Sequence, residues 1–96
     1  MLYDSTKTLL NSMVLSLQRG TVPWDEQIEL AGECSYEVHQ MARPLYKGFK
    51  VEQAMMRPAS ERAARAIPHV KLMVRAIRRR DQVAAVESGR AALAEM

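Results

Sequence analysis

Aromatic residues are scarce in this chain, five in 96, and it holds one cysteine, Cys34. Few aromatics among plentiful alanine, leucine, methionine and arginine disfavour a β-sandwich and favour packed helices. One cysteine cannot close an internal disulfide, which points to a reducing compartment. No run of eighteen apolar residues is present, so no membrane span is expected. The opening MLYDSTK lacks the basic start and long apolar run of a signal peptide, making a cytoplasmic location the expectation. There is no internal repeat, low-complexity run or domain linker, so residues 1–96 read as a single helical domain.

Groups that carry chemistry are equally sparse. Cys34 and His39 are five apart, which puts them on different sides of a helix, and His69 is distant in sequence. No Cys/His spacing resembles a zinc site. Gly48 and Gly89 stand alone, so no glycine loop is available to cradle a phosphate. The expectation is a protein that is not an enzyme and uses no cofactor or metal.

What is present is a helical pattern. The chain is 48% hydrophobic, enough for a core. Its length is near the limit for a single unstapled domain, so self-association could help complete that core. The first helix is expected from Asp4 or Ser5, with Leu10, Met13, Val14 and Leu17 at helical spacing and Gly20 just past its end. The second opens at TVPWDEQ. Trp24, Ile28, Ala31, Ser35, Val38, Ala42 and Leu45 follow 4-3-4-3-4-3, a seam for packing along neighbouring helices. Glu26, Glu29, Glu33 and Glu37 lie off that seam, and Pro44 is expected to end the helix near Ala42 or Arg43.

A third helix could start near Lys50, but Pro58 interrupts it, which favours a fresh start at Ser60. Ala63, Ile67, Val70, Val74 and Ile77 keep one phase across Pro68, predicting a single helix of about 60–79 kinked there. Asp81 is the expected N-cap of a last helix, with Val86, Gly89, Leu93 and Met96 on its seam. The predicted fold is an all-α, small antiparallel bundle of about four helices.

Charge is uneven along this pattern. Residues 1–50 carry five Lys/Arg and six Asp/Glu, whereas residues 51–96 carry nine and five. Opposite the apolar stripe of the third helix fall Arg65, His69, Leu72, Arg75 and Arg79, with Arg62 on a flank. Arg78, Arg79 and Arg80 have a local explanation, because cations suit the last turn of a helix. The cations upstream do not. A leucine among arginines reads either as an apolar anchor in a charged rim or as a singly exposed side chain.

Met55 and Met56 near the break at Pro58, and Tyr46 and Phe49 in the connection 43–50, form a second candidate surface. The expected partner is a protein with an acidic surface. Nucleic acid, held by the Arg-rich third helix, is the second choice, and a structural homo-oligomer built through the second helix's seam is the third. No membrane partner is expected.

Two segments, MLYDSTKTLLNSMVLSLQRG (1–20) and MVRAIRRRDQVAAVESGRAALAEM (73–96), together resemble the flagellin-specific export chaperone family. The most specific element is the opening Met-Leu-Tyr-Asp. In the family other residues precede that motif, and the basic third helix and the prolines at 58 and 68 also depart from its pattern. The resemblance implies a bundle that clamps a partner's extended helical segment and prevents its early assembly. It carries over only to Leu2, Tyr3 and Asp4.

Overall fold

A computed structural model describes the backbone of residues 2–47 and 50–96, and the side chains of residues 4–43 and 57–96. It contains four helices: α1 (Leu2–Arg19), α2 (Trp24–Lys47), α3 (Lys50–Arg78) and α4 (Gln82–Glu95). α2 packs along α3, α3 along α4, and α1 closes the ring by touching both α4 and α2. The result is the small all-α bundle that the helical periodicity predicts. Its extents are 42 × 21 × 20 Å. At 1.5 Å per residue the 29 residues of α3 span about 43 Å, so this one helix sets the length of the molecule. Among the described residues, no helix is long and apolar enough to cross a membrane.

The core is made of small and medium side chains from all four helices. Leu10, Met13, Val38, Met41, Val70, Met73 and Ile77 are each at most 1% exposed, with buried alanines filling the spaces between them. The seam of α2 belongs to this core. Ala31, Val38 and Ala42 are fully buried, and Trp24, Ile28 and Ser35 are half-buried. An oligomer built through that seam would have to displace α2's own neighbours.

Several helix ends have a local chemical explanation, although α1 begins at Leu2 rather than at the expected Asp4 or Ser5. Gly20 stops α1 with φ +65°, its N–H donating to the Ser16 carbonyl at 2.9 Å. Pro23 caps α2 from outside, its carbonyl accepting from Gln27 N–H at 3.0 Å. Asp81 caps α4 as expected: its carboxylate accepts from Ala84 N–H at 3.1 Å.

Between α3 and α4, Arg80 N–H donates to the Ile77 carbonyl and Asp81 N–H to the Ala76 carbonyl, both at 2.9 Å. These two bonds form a Schellman motif. Its left-handed position, usually glycine, is held by Arg80 at φ 58°. The bundle's closed end is tied further by Gln82 Nε2, which donates to the Leu17 carbonyl at 2.6 Å and so satisfies an α1 terminus from α4. Gln27, 1% exposed, bridges α2 to α1 by donating from Nε2 to Ser16 Oγ at 2.8 Å.

Two prolines depart from the sequence expectations, whereas the helix expected to run through Pro68 does so. Pro44 does not end α2, which runs on to Lys47. Pro58 does not delay α3, which begins at Lys50 and passes through both Pro58 and Pro68. Each proline removes one ladder hydrogen bond, whereas ending a helix orphans several backbone groups at once. Pro58 and Pro68 both face solvent. On that side of a helix the freed carbonyl four residues earlier, Ala64 in the case of Pro68, can bond water.

α4 differs in a second way. Its inward stripe is Ala85, Gly89, Ala92 and Met96, while Val86 and Leu93 only flank the core. Small residues let the helix axes approach. A Cβ added at Gly89 would lie 2.7 Å from Val14 Cγ2 and 3.2 Å from Met73 Sδ. Close approach selected the small face over the bulkier one.

Candidate functional site: the basic face of α3

Turns of α3 alternate between a buried apolar stripe and an exposed cationic one. Ala63, Ala66, Ile67, Val70, Met73, Ala76 and Ile77 are buried. Arg62, Arg65, Lys71, Arg75, Arg78 and Arg79 are exposed. Leu72 lies with the exposed set, its side chain turned out among the arginines at 51% exposure.

His69 is the one member of the predicted face that is misplaced, being half-buried. The buried face of α3 extends to Ala66, Met73 and Ala76, with Met73 meeting Gly89 of α4, and this draws His69 out of the outward row. Val74, expected on the core stripe, is correspondingly only half-buried.

The cations differ in how they are neutralised. Arg65 donates from Nε to Glu95 Oε2 at 3.2 Å, a link from α3 to the end of α4. Arg57 pairs with Glu61 at 2.8 Å one turn along the same helix. Arg79 stands 3.9 Å from Asp81, and Arg80 stands 3.8 Å from Asp25 of α2. All four pairs are solvent-exposed and individually worth little to stability. Arg62, Lys71, Arg75 and Arg78 have no ion pair among the described residues. Of the cations beside Leu72, Arg75 one turn on therefore has no ion pair among the described residues, while Arg65 and Arg79, two turns away on the same side, are held by Glu95 and Asp81.

Of the second candidate surface, Phe49 lies outside the described residues, and the side chains of Tyr46, Met55 and Met56 lie outside the described side chains. So do those of Leu2 and Tyr3, while Asp4 is exposed.

Cys34 and His39 lie within the bundle away from this face. Cys34 is fully buried, and burial, reinforced by the nearby Glu37 charge, pushes its thiol from 9.0 up to about 12. A thiol this hard to ionise is a poor nucleophile. His39 places Nδ1 2.7 Å from the Ser35 carbonyl, a bond within its own helix. Among the described residues no group of three His, Cys, Asp or Glu could hold a metal ion.

Two features of α2 escaped the sequence reading. Tyr36 is 66% exposed on the outer side of the helix, beside a shallow depression lined by Gly32, Glu33, Glu37 and Gln40. Gly32 is itself exposed, and a Cβ added there would meet nothing within 4 Å. A glycine in the middle of an otherwise well-patterned helix was the available signal. Among the described residues Leu15 and Val83 are the other large apolar side chains that stand out in water, at 40% and 69% exposure. Exposure alone thus does not single out Leu72; its cationic surroundings do.

No protein-family model, no curated protein and no solved structure matches this chain.

Proposed function

We propose that this chain is a small, non-enzymatic helical protein of the regulator or chaperone type, which binds and modulates a partner protein through the outer face of α3. The observation that carries the reading is Leu72, half-exposed within a row of arginines of which Arg62 and Arg75 have no ion pair among the described residues. Apolar anchors inside a charged rim are the usual anatomy of a protein interface. The arginines would steer and orient an acidic partner, and covering the exposed half of Leu72 would contribute roughly 1 kcal/mol. The resemblance of residues 1–20 and 73–96 to the flagellin-specific export chaperones points the same way, since such proteins hold a partner's helical segment.

Nucleic acid is the competing reading, and Leu72 separates the two. Phosphates would be held by the cations alone, with affinity falling steeply as salt rises through counterion release. A leucine adds nothing to that. The test is affinity capture from source-cell lysate with and without nuclease, in parallel with Leu72→Asp. The variant removes the anchor and sets a carboxylate against the acidic partner, so a roughly tenfold or greater loss of binding is expected with helicity unchanged. Undiminished capture by the folded variant refutes the assignment. Capture that disappears with nuclease treatment transfers it to nucleic acid.

A further inference from the structure

The outer faces of α2 and α3 are opposite in charge and alike in plan. Residues 20–42 contain five acids and no lysine or arginine, while residues 62–80 contain seven cations and no acid. Asp25, Glu26, Glu29 and Glu33 are exposed, as are the arginines of α3. Among the described residues each face carries one large apolar side chain in water, Tyr36 on α2 and Leu72 on α3. Within one molecule the two faces barely neutralise each other. Arg80 with Asp25, at 3.8 Å and both exposed, is the one ion pair joining α2 to the α3–α4 segment among the described residues.

Gly32 adds the element of shape. Glycine within a helix costs about 1 kcal/mol relative to alanine, and one thing that offsets the cost is a group that approaches closely. Gly89 has that explanation in Val14 and Met73. Gly32 does not: among the described residues nothing outside its own stretch of helix comes within 4 Å of where a Cβ would be. The missing side chain leaves bare backbone one turn before Tyr36, in the depression edged by Glu33 and Gln40. That surface matches an apolar knob with a cationic rim, the arrangement α3 displays around Leu72.

We infer that the occupant of the basic face is a second copy of this chain. Leu72 of one copy sits in the Gly32–Tyr36 depression of the other, and α3 arginines pair with Glu29 and Glu33. The inference rests on the protein-binding reading of α3 and names its partner. Because each chain carries both faces, a twofold arrangement uses each face once per chain and closes as a dimer.

The experiment is sedimentation equilibrium of the full chain over a dilution series at low and high salt. The expected mass rises with concentration from one to two times the 10.9 kDa of a single chain, with weaker association at high salt. Gly32→Gln, a helix-favouring change that fills the depression, should weaken the dimer about tenfold or more without loss of helicity. Leu72→Asp should do the same. Mixed together, the two variants should associate better than either alone, because the Gly32→Gln chain still offers Leu72 and the Leu72→Asp chain still offers its α2 face.

A mass that stays at one chain throughout the series overturns the inference and leaves the basic face to be judged by capture. If Leu72→Asp disperses the dimer but Gly32→Gln and Glu29→Arg do not, α3 is an interface and α2 is not its partner. That result too overturns the inference while sparing the reading beneath it. If Leu72→Asp dimerises as the wild type does, the pairing proposed here is refuted, whatever the capture result.

Discussion

Replacing Gly89 with alanine sets two well-characterised effects against each other. Helix propensity favours the change by about 1 kcal/mol, since Gly89 is in the interior of α4. Packing opposes it, because the new Cβ would lie 2.7 Å from Val14 Cγ2. Met73 Sδ, at 3.2 Å, belongs to an unbranched and adaptable side chain and can move aside. Val14 cannot do so easily: it is 4% exposed, and branching at Cβ restricts its χ1 on a helix.

The relief must therefore come from α1 and α4 moving apart, which strains a close-packed contact by about 1–3 kcal/mol. The net expectation is a destabilisation of about 1 kcal/mol, corresponding to a fall in Tm of roughly 4–8 °C for a domain near this size. Thermal melts followed by circular dichroism would read it. Val14→Ala opens space at the same contact, so Gly89→Ala should cost less in the Val14→Ala background than in the wild type, with a coupling of about 1 kcal/mol. A Gly89→Ala variant more stable than the wild type, or two strictly additive changes, would mean that α1 and α4 do not meet closely at this point.

Arg80→Gly should stabilise the protein by about 0.5–1 kcal/mol. It removes the cost of a left-handed non-glycine residue and gives up only an exposed pair with Asp25, partly offset by a more flexible unfolded chain. A lower urea midpoint for that variant would contradict the assigned turn. Cys34 should make stability fall at high pH. Its thiol is raised to about 12 in the fold, so both states stay protonated below 9.0, and above that only the unfolded chain loses its proton. The contribution is present below pH 9.0 and lost as pH rises towards 12. Melts of the wild type and Cys34→Ala should therefore converge or cross in alkaline buffer, and parallel pH profiles would show the thiol to be accessible and ordinary.

Much of this architecture can be read along the chain because it depends on local rules. The 3.6-residue recurrence of Leu10, Met13, Val14 and Leu17 marks a buried face whatever packs against it. Gly20 and Asp81 mark ends because a left-handed backbone and an orphaned N–H are local problems with local solutions. The outward turn of Leu72 also followed from phase alone, since Val70 and Ile77 fix which side of α3 is inward.

Tertiary packing decided where local rules gave competing answers. Pro44 and Pro58 look like helix breaks when each is weighed by itself. The extensive contact of α2 with α3 outweighs the single ladder bond each one removes, so both helices continue. The inward face of α4 was set by how closely α1 and α3 could approach, which placed Gly89 and the alanines inside and turned Val86 and Leu93 to the flanks. Gly32 and Gly89 are indistinguishable as residues in a helical pattern. Only their surroundings separate them, Val14 pressed against one and open water above the other, because close approach is a property of two helices and not of either sequence.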